Sequence, residues 1–88
     1  MKSKMKPTPL GDKVRFYRER TGLSQLQLSL KSGIATSTIG MIEQNKRNPS
    51  VTTVHKIGIA LNLTAKEMSY LLDVNFYLEK DTQNKKNY

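Results

Sequence analysis

The groups that most often carry acid–base, nucleophilic or metal chemistry are sparse in this chain: one histidine, His55, seven carboxylates and no cysteine. His55 stands beside an apolar stripe with no second histidine to complete a metal set, and it reads as partly packed surface. The Asp and Glu residues are spread singly, with no nucleophile paired to a base. Enzymatic activity is therefore the remotest function class, and neither cofactor nor metal is expected. Charge is the stronger signal. Fifteen Lys and Arg against seven Asp and Glu give a net charge of +8 over 88 residues. Residues 1–20 carry seven basic and two acidic side chains, residues 21–56 four and one, and residues 57–81 two and four. A polyanionic partner, most often nucleic acid, should meet the first two thirds of the chain. The absence of cysteine points to a reducing, cytoplasmic setting. The longest apolar runs are two or three residues, such as Ile59-Ala60-Leu61, so no membrane span is expected. Pro7-Thr8-Pro9 follows the basic start where an export signal needs an apolar stretch, so none is expected.

Recognition of a polyanion needs elements that fix its contacts, and the pattern predicts an all-α fold of five helices. The first opens with Thr8 as N-cap and Pro9 in its first turn, buries Leu10, Val14 and Tyr17, and ends near Thr21-Gly22. Ser24 to Gln27 forms a capping box for a second helix running to about Ser32. Gly33 supplies the positive φ of a tight turn. A third helix follows with Ile39 and Ile42 inward, stopping at Asn45, a residue tolerant of the left-handed region. Pro49-Ser50 launches a fourth helix with Val51, Val54, Ile57 and Leu61 at helical spacing. Thr64 to Glu67 is a second capping box, for a fifth helix.

Two short helices joined by a three- to four-residue turn with glycine match the helix-turn-helix unit. From Ser24 to Asn45 the chain reads SQLQLSLKSGIATSTIGMIEQN, preceded by LGDKVRFYRERTGLSQ and followed by NKRNPSVTTVHKIGIALNLT. This stretch, about residues 10–73, resembles the lambda repressor and Cro (XRE) family of regulators. The resemblance implies a compact five-helix domain over residues 8–73, with the third helix reading double-stranded DNA. It places Gln25 where the family anchors a phosphate and braces a recognition side chain. Thr36, Ser37, Gly40 and Met41 fall on the outward face of the reading helix, which agrees with helical geometry because Ile39 and Ile42 then point inward. Thr and Ser hydroxyls donate or accept at bases, and the Thr methyl or Met thioether suits a thymine methyl. Gln44, Asn45, Lys46, Arg47 and Asn48 form the loop with which the family grips the phosphate backbone, Lys46 and Arg47 supplying charge. Arg18 and Glu43 match a buried ion pair tying the first helix to the third.

Several residues depart from the family pattern. Ser29 replaces an alanine, Asn45 a glycine, and Ala35 the usual Ser or Thr cap of the third helix. That last loss costs about 1 kcal/mol unless Thr36 caps one residue later. Leu26, Leu30 and Ile59 stand where polar residues are common. Residues 1–7 read as a flexible basic tail, and 74–88 as an extension in which Val74, Phe76, Tyr77 and Leu78 continue the apolar pattern of Met68, Tyr70, Leu71 and Leu72. Such an extension serves either as a contact surface, with a homodimer preferred, or as a longer fifth helix folding back. The leading reading is a sequence-specific transcriptional regulator, as a repressor. The alternative is an antitoxin-type module that also holds a small protein partner through its C-terminal apolar segment.

Overall fold

Local capping chemistry delimits the helices of the computed structural model, which describes residues 8–72. They are α1 (Leu10–Thr21), α2 (Gln25–Ser32), α3 (Thr36–Glu43), α4 (Val51–Ala60) and α5 (Ala65–Leu72), and the described residues contain no strand. The basic tail 1–7 and the extension with Phe76, Tyr77 and Leu78 lie outside the described residues. Ser24 Oγ accepts from the Gln27 N–H while Gln27 Oε1 accepts from the Ser24 N–H, closing the expected capping box on α2. Thr64 and Glu67 repeat it on α5, and Ser50 Oγ accepts from the Thr53 N–H at the start of α4. Gly33 ends α2 at φ +76. At the end of α3, the Asn45 N–H donates to Ile42 O and the Lys46 N–H to Met41 O, with Asn45 at φ 60. That pair of bonds satisfies carbonyls that the last turn of a helix leaves open.

Three local expectations are corrected. Pro9, not Thr8, is the N-cap of α1, and it makes no side-chain cap bond. A proline disfavours helical conformations in the residue before it, and here its own carbonyl accepts from the Asp12 and Lys13 N–H groups. Thr36 does not cap α3: it is the first helical residue, and Ala35 occupies the N-cap position without a side-chain bond. Val51 is 48% exposed rather than buried, because the first turn of α4 reaches past the core that Val54, Ile57 and Leu61 help to fill.

That core comprises Val14, Tyr17, Leu28, Ile39, Ile42, Val54, Ile57, Leu61 and Leu71. Leu28 stood outside the expected stripes, and Leu71 was expected only as part of the apolar pattern of the fifth helix. Helix α1 packs on α3 and α5, α2 on α3 and α4, and α4 on α5. Polar contacts fasten α1 to α5. The buried Lys13 ammonium donates to the Tyr70 carbonyl at 2.9 Å and lies 4.2 Å from the Tyr70 ring centroid. Arg20 pairs with Glu67 at 2.8 Å, and the Tyr17 and Tyr70 rings meet edge to face. Leu26, Leu30 and Ile59 are exposed.

Candidate nucleic-acid interface

Helix α3 owes its outward face to the residues it buries. Ile39 and Ile42 enter the core and Glu43 is also buried, so Ser37, Met41 and Gln44 are left exposed at i, i+4 and i+7. Thr36 and Gly40 flank this stripe and are half-buried. Of the four positions expected on the outward face, Ser37 and Met41 therefore stand out furthest. Gly40 lies against Gln25, whose side-chain oxygen would be 3.6 Å from a methyl placed there.

Glu43 organises the end of the interface nearest α1 and α2. Its carboxylate accepts a two-pronged contact from Arg18, Nε to Oε2 at 2.6 Å and Nη2 to Oε1 at 2.9 Å, and a further bond from Gln25 Nε2 at 3.0 Å. The third Arg18 nitrogen donates to the Leu23 carbonyl at 2.8 Å. The expected Arg18 and Glu43 pair is thus present and satisfied on both sides, as a buried pair requires. Glu43 holds the Arg18 guanidinium still more firmly protonated than usual, by hydrogen bonding, against the cost of burial. Gln25 is anchored to Glu43 at the capped start of α2. Arg15 also approaches Glu43, at 3.8 Å, with half of its side chain exposed.

At the other end, Lys46, Arg47 and Asn48 are exposed on the loop after α3. A groove of about 400 Å³ separates this loop from the α2–α3 turn, with Thr38, Arg47, Asn48 and Ser50 in its wall. Asn45 is different. Its Oδ1 accepts from the Gly11 N–H at 2.8 Å and its Nδ2 donates to Asp12 at 3.0 Å, so the carboxamide is turned to the first turn of α1. Sequence reasoning placed Asn45 with the phosphate-gripping loop and missed this tie. The available signal was a glycine in the first turn of α1, where a methyl would overlap the Ile42 carbonyl and lie 2.6 Å from Asn45 Oδ1. No group of three or more His, Asp or Glu side chains among the described residues is placed to hold a metal ion. No described helix is long and apolar enough to cross a membrane.

Two short helices, the three-residue turn Gly33-Ile34-Ala35, and an exposed stripe on the second helix flanked by cationic and amide groups define a helix-turn-helix protein. A family model described as helix-turn-helix matches residues 14–68, and the chain belongs to that family, of the XRE type. It is 38% identical over 58 residues to antitoxin HipB of Escherichia coli, covering 66% of this chain and 62% of HipB. It is 32% identical over 75 residues to the transcriptional regulator SinR of Bacillus subtilis, covering 84% of this chain and 65% of SinR. The chain thus spans less than two thirds of both relatives. Among solved structures, the restriction-modification controller protein C.AhdI from Aeromonas hydrophila matches with a TM-score of 0.64 and 33% identity. That match covers 68% of this chain and 91% of C.AhdI. The five-helix, all-α expectation agrees with that fold.

Proposed function

We propose that the chain is a sequence-specific DNA-binding transcription regulator that sets α3 in the major groove and represses the promoter it occupies. The observation that carries this reading is the exposed stripe Ser37, Met41 and Gln44. It lies between Gln25, anchored on buried Glu43, and the cationic loop Lys46-Arg47. Phosphate contacts at both ends position the helix, and the stripe between them meets base edges. Thr36, Ser37 and Met41 cannot make a two-pronged purine contact, so of the stripe only Gln44 carries a side chain able to pair in that way with adenine. The other contacts are soft, and DNA shape carries part of the specificity. The regulator works in the cytoplasm as a homodimer, with half-sites about 34 Å apart. The likeness to HipB supports a second reading, an antitoxin that also binds a small protein partner.

Selection from a randomised duplex pool tests the main reading. Wild type should enrich one motif, and substituting Ser37 or Met41 should change the preferred base at one or two positions by about 1–3 kcal/mol. Lys46→Ala and Arg47→Ala should weaken specific and random DNA alike, flattening the salt dependence by about one unit per lost phosphate contact. No enriched motif and no binding at low salt would overturn it.

A further inference from the structure

The carboxamide of Asn45 joins two places that the sequence sets 34 residues apart. Helix α1 starts at Pro9, which has no side chain able to accept from the first-turn N–H groups. Asn45 Oδ1 takes that role for the Gly11 N–H, and Asn45 Nδ2 reaches Asp12 in the same turn. The backbone of Asn45 is left-handed at φ 60, which aims its side chain at α1 rather than along α3. Gly11 has no side chain to obstruct the approach. The next two residues are Lys46 and Arg47.

We infer that Asn45 is a positioning residue for DNA binding, not itself a phosphate ligand. Its side chain clamps the cationic loop to the first turn of α1 and so fixes the direction from which Lys46 and Arg47 meet the DNA. The inference rests on the DNA-binding reading above. A neutral amide adds no charge at the interface, so its effect comes through pre-organisation: a loop already held in its binding geometry loses less freedom when DNA arrives.

A double-mutant cycle between positions 12 and 45 tests this. Asn45→Asp keeps an acceptor for the Gly11 N–H but sets a second carboxylate against Asp12. Combined with Asp12→Asn, the polarity of the pair is reversed, the net charge of wild type is restored, and both bonds can form again. Dissociation constants are measured by fluorescence anisotropy on the duplex that wild type selects from a randomised pool, at a temperature where circular dichroism shows all four proteins folded. Asn45→Asp should weaken binding, and Asp12→Asn should improve binding more in the Asn45→Asp background than in wild type, by about threefold or more. If Asn45 faced a phosphate, Asp12→Asn would bring the same gain in both backgrounds, and the inference would fail. Coupling seen in melting temperature but absent from the dissociation constants would reduce Asn45 to a purely structural tie and equally overturn it. Should Asn45→Asp not fold, Asn45→Gly keeps the left-handed turn and deletes the clamp. It should weaken binding with an unchanged salt slope, and unchanged affinity would refute the inference. Lys46→Ala and Arg47→Ala, combined in one variant and run in parallel, separate the two levels: if that variant leaves binding intact, the cationic side chains of the loop do not contact DNA and the reading on which the inference rests fails.

Discussion

Glu43 is the most consequential single residue, because a carboxylate with about 1% of its side chain exposed is tolerable only while its partners remain. Deleting it in Glu43→Ala strands Arg18 in a largely buried position, and loss of one partner of such a pair costs about 3–5 kcal/mol. Urea denaturation should show that loss. Gln25→Ala keeps the ion pair and should move the midpoint little while weakening DNA binding. Equal destabilisation by the two variants would contradict this division of labour. The Arg18 and Glu43 pair was legible in the sequence because the whole surrounding motif matched. Gln25 was singled out in the sequence as a phosphate anchor, whereas its bond to Glu43 was not foreseen. Asn45 with Gly11, Arg15 with Glu43, and Lys13 with Tyr70 were illegible for one reason: each joins positions 28 to 57 residues apart whose types, taken singly, suggest only a solvated surface.

Among the helices, two glycines make a matched contrast. Gly11 and Gly58 are both helical and buried. A methyl on Gly11 would overlap the backbone carbonyl of Ile42, which cannot withdraw without moving α3. One on Gly58 would meet the Met68 thioether, the far end of a flexible side chain. Gly11→Ala should therefore destabilise by about 1–3 kcal/mol, the usual cost of overpacking. Gly58→Ala should be near neutral, since helix propensity returns about 1 kcal/mol against the displacement of Met68. Thermal melts of the two variants check the ordering. The clasp between α1 and α5 adds a pH dependence. Hydrogen bonding from Arg20, then from the Thr64 N–H, lowers the Glu67 pKa from 4.5 to about 2. Below pH 4.5 the unfolded chain takes up this proton and the folded one resists it, so stability present above that pH is lost as pH falls toward 2. Denaturation midpoints measured down this range should fall less steeply for Glu67→Gln than for wild type. Capping boxes and left-handed turns were legible because they are local. The start of α1 and the exposure of Val51 were misread because neighbouring helices, and the restraint a proline places on the residue before it, decided them.

For the molecule as a whole, the fold class followed from five amphipathic segments, three of them opened by a side-chain cap, whereas the contact of the proposed homodimer is not written in any of them. The homodimer proposed above would draw on the segment containing Phe76. Light scattering across concentration should show a monomer and dimer equilibrium that Phe76→Asp shifts to monomer, and a wild type that stays monomeric throughout would remove that proposal. The amide of Gly11 carries a different consequence. Amides in the first turn of a helix ordinarily exchange with solvent almost freely, because fraying exposes them. Here the Gly11 proton is held by a side chain from beyond α3, so its exchange with deuterium has to wait for α1 and the end of α3 to separate. Its exchange rate should then match that of the inner amides of α3 rather than those of neighbouring first-turn groups. One backbone proton thus becomes a clock for the parting of α1 from the end of α3.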